Sequence, residues 1–261
     1  MPDLKGRAVI VTGAASGIGE ASAKAFAAAG AAVLVADVQD AKGHAVAEAI
    51  TKAGGNALYF RCDVTKPSDT IAMVAAAEKR FGRLDALHAN AGVEIDKILT
   101  ETTDEDWDKI IGVNLKGVFL CCRAAIPAFQ KRGGGAIVIT ASVNGFQTEP
   151  KLAAYCASKG GAIMLAKSIA IDYAQDGIRA NALCPGWVGT PMTEAFFADA
   201  EKKAYWSGVQ PAGRVSTPAE IARVAVFLAS DEAAAMTGSV VTADGGLTAV
   251  LNGHRFHPPA P

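Results

Sequence analysis

Short runs of aliphatic and β-branched residues alternate with longer alanine-rich stretches of helical spacing along nearly the whole chain. Residues 7–12 (RAVIVT), 32–36 (AVLVA), 57–62, 86–89, 136–141, 178–183 and 239–242 predict strands. Residues 17–29, 40–53, 67–81, 104–131, 152–176 and 217–230 predict the helices between them. The punctuation supports this division. Thr217-Pro218-Ala219-Glu220 offers an N-cap, a proline at the first helical position and a capping-box glutamate. Thr103 and Asp106 offer a weaker box of the same kind. Alternating strand and helix implies a parallel sheet covered on both faces, a doubly wound α/β domain whose strands are apolar on both sides. No linker, charge run or repeat divides the chain, so residues 1–253 read as one domain. Residues 191–208 read as an insertion covering a substrate, with Phe196, Phe197, Tyr205 and Trp206 but no strand pattern. The proline-rich residues 254–261 read as a loosely held tail.

Composition narrows the class. Of 261 residues, 51% are hydrophobic and 20% charged, and 25 Lys+Arg against 26 Asp+Glu leave a net charge of −1. That balance excludes intrinsic disorder and gives no electrostatic footprint for a nucleic acid. The apolar stretch 25–36 contains Gly30 and runs into Asp37, short of the roughly 20 residues of a membrane span. The first residues, MPDLKGRAVIVTG, show no cleavage-site pattern. Five cysteines without a CxxC pair read as reduced core thiols, and the four histidines form no metal-ligand spacing with them. Together these predict a cytoplasmic, metal-independent enzyme or binding domain.

The first chemical signal follows the first strand. Thr12-Gly13-Ala14-Ala15-Ser16-Gly17-Ile18-Gly19 is a glycine-rich turn that opens a helix. Glycines let backbone approach a pyrophosphate, and the helix N-terminus supplies free N–H groups and a positive dipole end. The GxxxGxG spacing differs from the GxGxxG dinucleotide fingerprint, so the turn needs support from its context. Asp37 supplies that support at the end of the second strand, where a carboxylate accepts from ribose hydroxyls and repels a 2′-phosphate. No Lys or Arg stands at 14, 15, 16 or 38, which favours NAD over NADP. A second signal is Tyr155-Cys156-Ala157-Ser158-Lys159, which puts Tyr and Lys on one face of a helix, with Ser142 ending the fifth strand.

With these elements in order, residues 4–248 resemble the short-chain dehydrogenase/reductase family. The resemblance rests on TGAASGIG (12–19), Asp37, Asp63-Val64, Asn90-Ala91-Gly92, Asn114, Ser142, Tyr155…Lys159 and Pro185-Gly186…Thr190. It implies a Rossmann-type domain and assigns roles. Tyr155 is the general base or acid, Ser142 bonds the substrate oxygen, and Lys159 lowers the tyrosine pKa and holds a ribose. Asn114 resembles the residue that anchors a relay water, although an Asn flanked by Gly112 and Gly117 also suits a local helix irregularity. The resemblance further implies cofactor contacts at Gly13, Ser16, Gly17, Ile18, Gly19, Asp37, Asp63, Val64, Asn90, Ala91, Gly92, Pro185, Gly186, Val188 and Thr190. For Asp63, helix capping is an equal reading.

By the same resemblance, Glu94, Ser142, Asn144, Gln147 and Trp187 surround the substrate. Glu94 and Asn144 suit a hydroxylated substrate such as a sugar or cyclic polyol. The aromatics suit an apolar ring, or simply pack the insertion onto the domain. His88, in a buried strand, reads as a satisfied core histidine, and Cys156 as inert. The expected activity is NAD-dependent interconversion of a secondary alcohol and its ketone or lactone, in a homotetramer with a small-molecule substrate. A 3-oxoacyl-type ketoreductase shares the same catalytic residues. A non-catalytic dinucleotide-binding regulator would lack Tyr155 or Lys159, and both are present.

Overall fold

In the computed structural model, which describes residues 2–250, seven parallel strands form one sheet in the order β3-β2-β1-β4-β5-β6-β7. The strands are β1 (Ala8–Thr12), β2 (Ala32–Asp37), β3 (Asn56–Arg61), β4 (Ala86–Ala89), β5 (Gly135–Thr140), β6 (Ile178–Pro185) and β7 (Val240–Ala243). Alternate side chains of the inner strands enter two separate cores. Ile10, Leu34, Leu87, Ile137 and Ile139 face one, while Val9, Val11, Val33, Val35 and Val138 face the other. The first core is closed by α3 (Pro67–Phe81), α5 (Val118–Arg132) and α6 (Ala153–Asp172). The second is closed by α1 (Gly17–Ala28), α2 (Asp40–Lys52) and α8 (Pro218–Ala229). Edge strands depart from the expectation of full burial on both faces. β3 is only partly buried along its length and β7 alternates exposed and half-buried positions, because each lacks a neighbour on one side.

Two further elements refine the expected helices. The apolar stretch 104–132 is one continuous helical run containing a π turn, Gly112–Gly117, between α4 (Asp104–Ile111) and α5. Among the described residues this run, rather than 25–36, is long and apolar enough to match a membrane span. Half of its apolar window is buried inside the domain, and Val118, Cys121, Cys122 and Phe129 belong to the first core. The 191–208 insertion forms its own helix, α7 (Ala200–Val209), capped by the Asp199 carboxylate, which accepts from the Lys202 N–H at 2.8 Å. No apolar periodicity announces it: none of its residues is buried. The tail 254–261 lies outside the described residues.

The end of the sheet opposite the strands' carboxyl ends is tied by one buried carboxylate. Asp85 accepts from both Arg83 and Arg132 and from the Ala8 N–H at 2.8 Å. Both predicted capping boxes form completely, at Thr103/Asp106 and Thr217/Glu220. Arg214 and the Thr217 amide and hydroxyl hold the Glu220 carboxyl at a pKa of about 2. Thr217→Ala is expected to cost about 1 kcal/mol in urea denaturation at neutral pH. The Glu220 share of that cap is full above the ordinary carboxyl value of 4.5 and lost as pH falls toward about 2. The stability gap between the parent and Glu220→Gln should therefore close over that interval, and a gap independent of pH would refute the assignment.

Candidate active site

The sheet order reverses between β1 and β4, and at that switch point the carboxyl ends of neighbouring strands diverge into a crevice. A hydrogen-bonded chain fixes its floor. Thr12 Oγ1 accepts the N–H groups of Asn90 and Ala91 at 3.0 and 3.1 Å. The Asn90 amide donates back to the Thr12 carbonyl at 3.1 Å and accepts from the Thr140 hydroxyl at 3.1 Å. Because that hydroxyl proton is committed to Asn90, His88 Nε2, 2.8 Å from Thr140 Oγ1, must be the donor. The opposite ring nitrogen, Nδ1, is buried without a partner, so His88 is only half satisfied. Complete burial holds its pKa down to about 3, and the ring is a neutral structural post.

Above this floor lies a cavity of ≈ 810 Å³ that runs from Asp37, past the glycine turn, to the insertion. Its first half is shaped by backbone. Gly13 and Gly17 have φ of 64° and 56°. A Cβ on Gly13 would sit 2.7 Å from Ala91 Cα, and one on Gly19 only 2.0 Å from the Gly13 carbonyl oxygen. Gly19 therefore does not line the cavity; it lets the turn fold against itself. Ser16 is the N-cap residue of α1, yet its side chain caps no amide, which leaves the positive helix end open toward the cavity. The Asp37 carboxylate, buried, is fixed by the N–H groups of Ala15 and Gln39, each at 2.9 Å. Asp63 serves its own turn, accepting from the Thr65 amide and hydroxyl at 3.0 and 2.7 Å, while the α3 N-cap is Lys66. Gly13, Ser16, Gly17, Ile18, Asp37, Asp63, Val64, Asn90, Ala91, Gly92, Pro185, Gly186, Val188 and Thr190 all line the cavity. A glycine-walled groove ending at an uncapped helix N-terminus suits a dinucleotide's pyrophosphate, and the residues fit such a cofactor.

At the middle of the cavity stand Tyr155, Ser142 and Lys159, all lining residues and all at least nine-tenths buried. The Ser142 side chain stands close enough to Tyr155 to favour its ionised form, and its hydroxyl accepts the Asn144 N–H at 3.1 Å. Lys159 Nζ donates to the Thr140 carbonyl at 2.8 Å and lies 5.5 Å from the Tyr155 ring centroid. Burial pushes the lysine down to about 8. Burial also pushes the Tyr155 phenol up, helped by the negative charge of Glu94 and opposed by Ser142. The resemblance implies a phenol lowered by Lys159; burial instead raises it, and Ser142 rather than Lys159 is the group that opposes the rise.

Asn114 lies one layer behind. Its carbonyl accepts the Val93 N–H at 2.8 Å, and its amide donates to the Val93 carbonyl at 2.9 Å and to Ser158 Oγ at 3.1 Å. It sits in the π turn, does not line the cavity, and clamps the loop after β4. The irregularity expected around Gly112 and Gly117 is thus real, and it aims this side chain.

The far end of the cavity is roofed by aromatics. Trp187 packs on Trp206 and Phe196, with ring centroids 4.1 and 5.1 Å apart, so these rings both pack the insertion and face the cavity. Phe197 packs on Trp187 outside the lining set. Glu94, Asn144 and Trp187 line this end; Gln147 is exposed and does not. Glu149, which sequence reasoning passes over, lines it too; burial pushes its carboxyl up, and Asn144 and Trp187 oppose that shift. Its one sequence signal is a carboxylate beside Pro150 in the short link between Ser142 and the Tyr155 helix.

Known proteins similar to this chain are reductases and dehydrogenases. A family model described as enoyl-(acyl carrier protein) reductase matches residues 13–248. A 2,5-dichloro-2,5-cyclohexadiene-1,4-diol dehydrogenase of Sphingobium indicum is 43% identical over 96% of this chain and 100% of its own length. A cis-4-hydroxycyclohexanecarboxylate dehydrogenase of Sinomonas cyclohexanicum is 41% identical over 94% of this chain and 97% of its own. Among solved structures, a gluconate 5-dehydrogenase of Burkholderia cenocepacia in complex with NADP and tartrate superposes with a TM-score of 0.91 at 34% identity, covering 95% and 98% of the two chains.

Adding a methyl at Gly19 drives it into the Gly13 carbonyl and the Asn90 amide. Gly19→Ala should weaken NADH binding by about tenfold or more, since overpacking of about 1–3 kcal/mol falls on the turn itself. Fluorescence titration reads this, and an unchanged dissociation constant would remove the turn from the cofactor seat.

Proposed function

Because this chain belongs to the short-chain dehydrogenase/reductase family and is an oxidoreductase, we propose that it oxidises a small cyclic or polyhydroxylated secondary alcohol to the ketone, using NAD. The observation that carries this reading is the buried grouping of Tyr155, Ser142 and Lys159, placed between a glycine-walled groove and an aromatic-roofed chamber. When bound, the dinucleotide takes or returns the hydride and, in its oxidised form, adds a positive charge to the site. Tyr155 Oη takes the alcohol proton in oxidation and gives it back in reduction. Ser142 Oγ donates to the substrate oxygen as charge gathers on it. Lys159, anchored on Thr140, supplies the fixed positive charge that favours a phenolate over a neutral phenol. Asn114 keeps the loop after β4 at the distance these groups require.

The preference for NAD rests on Asp37. Its carboxylate is immobilised by two backbone amides, so a 2′-phosphate brought beside it meets a negative charge that cannot turn away. Arg61, the nearest strand partner across the β2–β3 ladder, is drawn off by Asp40 and the Val38 carbonyl. The relatives that act on a cyclic diol and on a hydroxycyclohexanecarboxylate both support a ring substrate, and only the first of them an uncharged one. An acyl-carrier substrate fits less well, because Glu94, Asp96 and Glu149 border the chamber with negative charge.

Assembly as a homotetramer is supported by apolar side chains left exposed on α4, α5 and α6, namely Trp107, Phe119, Met164 and Ile171. A reducing, cytoplasmic setting is in keeping with five free cysteines.

Tyr155→Phe should lower kcat by about a thousandfold or more while NADH affinity stays within a few-fold. Retained turnover in NAD reduction assays over a panel of cyclic diols, sugars and steroids would sink the base assignment. NADH should bind more tightly than NADPH, and Asp37→Ala should narrow the difference; the reverse order would contradict the role of Asp37. Sedimentation is expected to give a tetramer, and a monomer at micromolar concentration would refute the assembly.

A further inference from the structure

The carboxylates at the substrate end form an arrangement that the reaction itself does not use. Glu94 and Asp96 lie on the loop after β4, and Glu149 lies on the link before α6. The two segments are fastened together by the Lys97 N–H donating to the Lys151 carbonyl at 2.9 Å, within a parallel bridge between Lys97 and Leu152. That clamp sets three carboxyl groups along one wall of the chamber. Glu94 is near enough to Tyr155 and Lys159 to perturb both electrostatically. Glu149 lies toward the roof, where Asn144 and Trp187 also line the cavity and favour its ionised form. The wall therefore reaches from the reacting hydroxyl to the aromatics.

We propose that Glu94 and Glu149 set the substrate class of this site, admitting an uncharged hydroxylated ring and excluding the same ring bearing a carboxylate. The proposal rests on the reading of the cavity as the place where a secondary alcohol is oxidised. The lining contains only two basic side chains, Lys151 and Lys159. Lys151 is exposed, and Lys159 is committed to the Thr140 carbonyl beneath Tyr155. An entering carboxylate thus meets two half-buried carboxyls, while the one lining cation that is not committed, Lys151, stands exposed to solvent. Repulsion between like charges in a desolvated pocket is several times stronger than in water.

A neutral hydroxyl has no such difficulty. Burial and the neighbouring acids push the Glu94 carboxyl up to about 7, so near neutral pH it is present in both forms. An alcohol group donates to the ionised form and accepts from the protonated one. Among the described residues, no three acidic, histidine or cysteine side chains are grouped to hold a metal ion, so the wall is not read as a cation site.

Binding to the enzyme–NADH complex tests this without relying on turnover. Cyclohexanecarboxamide and cyclohexanecarboxylate have nearly the same shape, and quenching of Trp187 and Trp206, which line the chamber, reports either one. At pH 8 the parent should bind the amide at least about tenfold more tightly than the carboxylate. In Glu94→Gln/Glu149→Gln most of that ratio should vanish, chiefly through tighter carboxylate binding. Glu149→Gln alone, which keeps the side chain's size and removes its charge, should recover part of it. Equal or tighter carboxylate binding by the parent, failure of both ligands to bind, or an unchanged ratio in the variants would each overturn the proposal. Absence of alcohol turnover with the discrimination intact would instead count against the oxidation reading alone.

Discussion

Everything that the cavity does depends on how the carboxyl ends of β1, β4 and β5 are held where the sheet order reverses. Strands that diverge there expose backbone groups with no ladder partner, and buried backbone groups must be satisfied. Thr12 and Asn90 meet that requirement with their side chains, and Thr140 and His88 continue the chain side chain to side chain. One consequence is a rigid floor. Another is that the Thr140 carbonyl remains available to anchor Lys159, and the loop carrying Glu94 leaves β4 in a fixed direction. Asn114 secures the same loop from behind, through a π turn that an ordinary helix would not provide.

On that floor, chemistry is governed by desolvation. Burial alone raises a phenol, raises a carboxyl and lowers an ammonium. All three effects occur together within one chamber: Tyr155 upward, Glu94 up to about 7, Lys159 down to about 8. A tenfold change in proton affinity is worth about 1.4 kcal/mol, so the protein by itself keeps Tyr155 protonated with a sizeable margin. A site built in this way resists idle deprotonation. In the proposed reaction it would become a base once further positive charge arrives beside it, which would couple proton removal to the presence of an oxidised dinucleotide. Glu94 then has two effects, opposing the phenolate and patrolling the substrate wall, and these arise from the same carboxyl.

The doubly wound sheet was legible because its signals are local. β-Branched runs separated by amphipathic stretches leave few alternatives, and Thr217-Pro218-Ala219-Glu220 specifies its helix start by side-chain geometry. The glycine turn, Asp37 and the Tyr155/Lys159 pair were legible because spacing along a strand or helix decides which residues share a face. What stayed hidden depends on contacts distant in sequence. The α7 helix buries no residue and so carries no apolar period. Glu149 joins the chamber only through the Lys97–Lys151 clamp, whose partners are more than fifty positions apart. Gln147, two positions earlier and expected beside the substrate, is exposed and does not line the chamber. The membrane-like hydropathy of residues 104–132 reflects burial against the sheet rather than a span.

The central claim is that Tyr155 is held neutral by burial and converted to a base by the bound oxidised cofactor. Ultraviolet difference titration of the phenolate band, taken as parent minus Tyr155→Phe with and without NAD, measures this directly. Without NAD the Tyr155 phenolate should be absent below the ordinary tyrosine value of about 10, and with saturating NAD it should appear at least about one pH unit lower than in its absence. A phenolate that titrates at the same pH in both states would contradict the account.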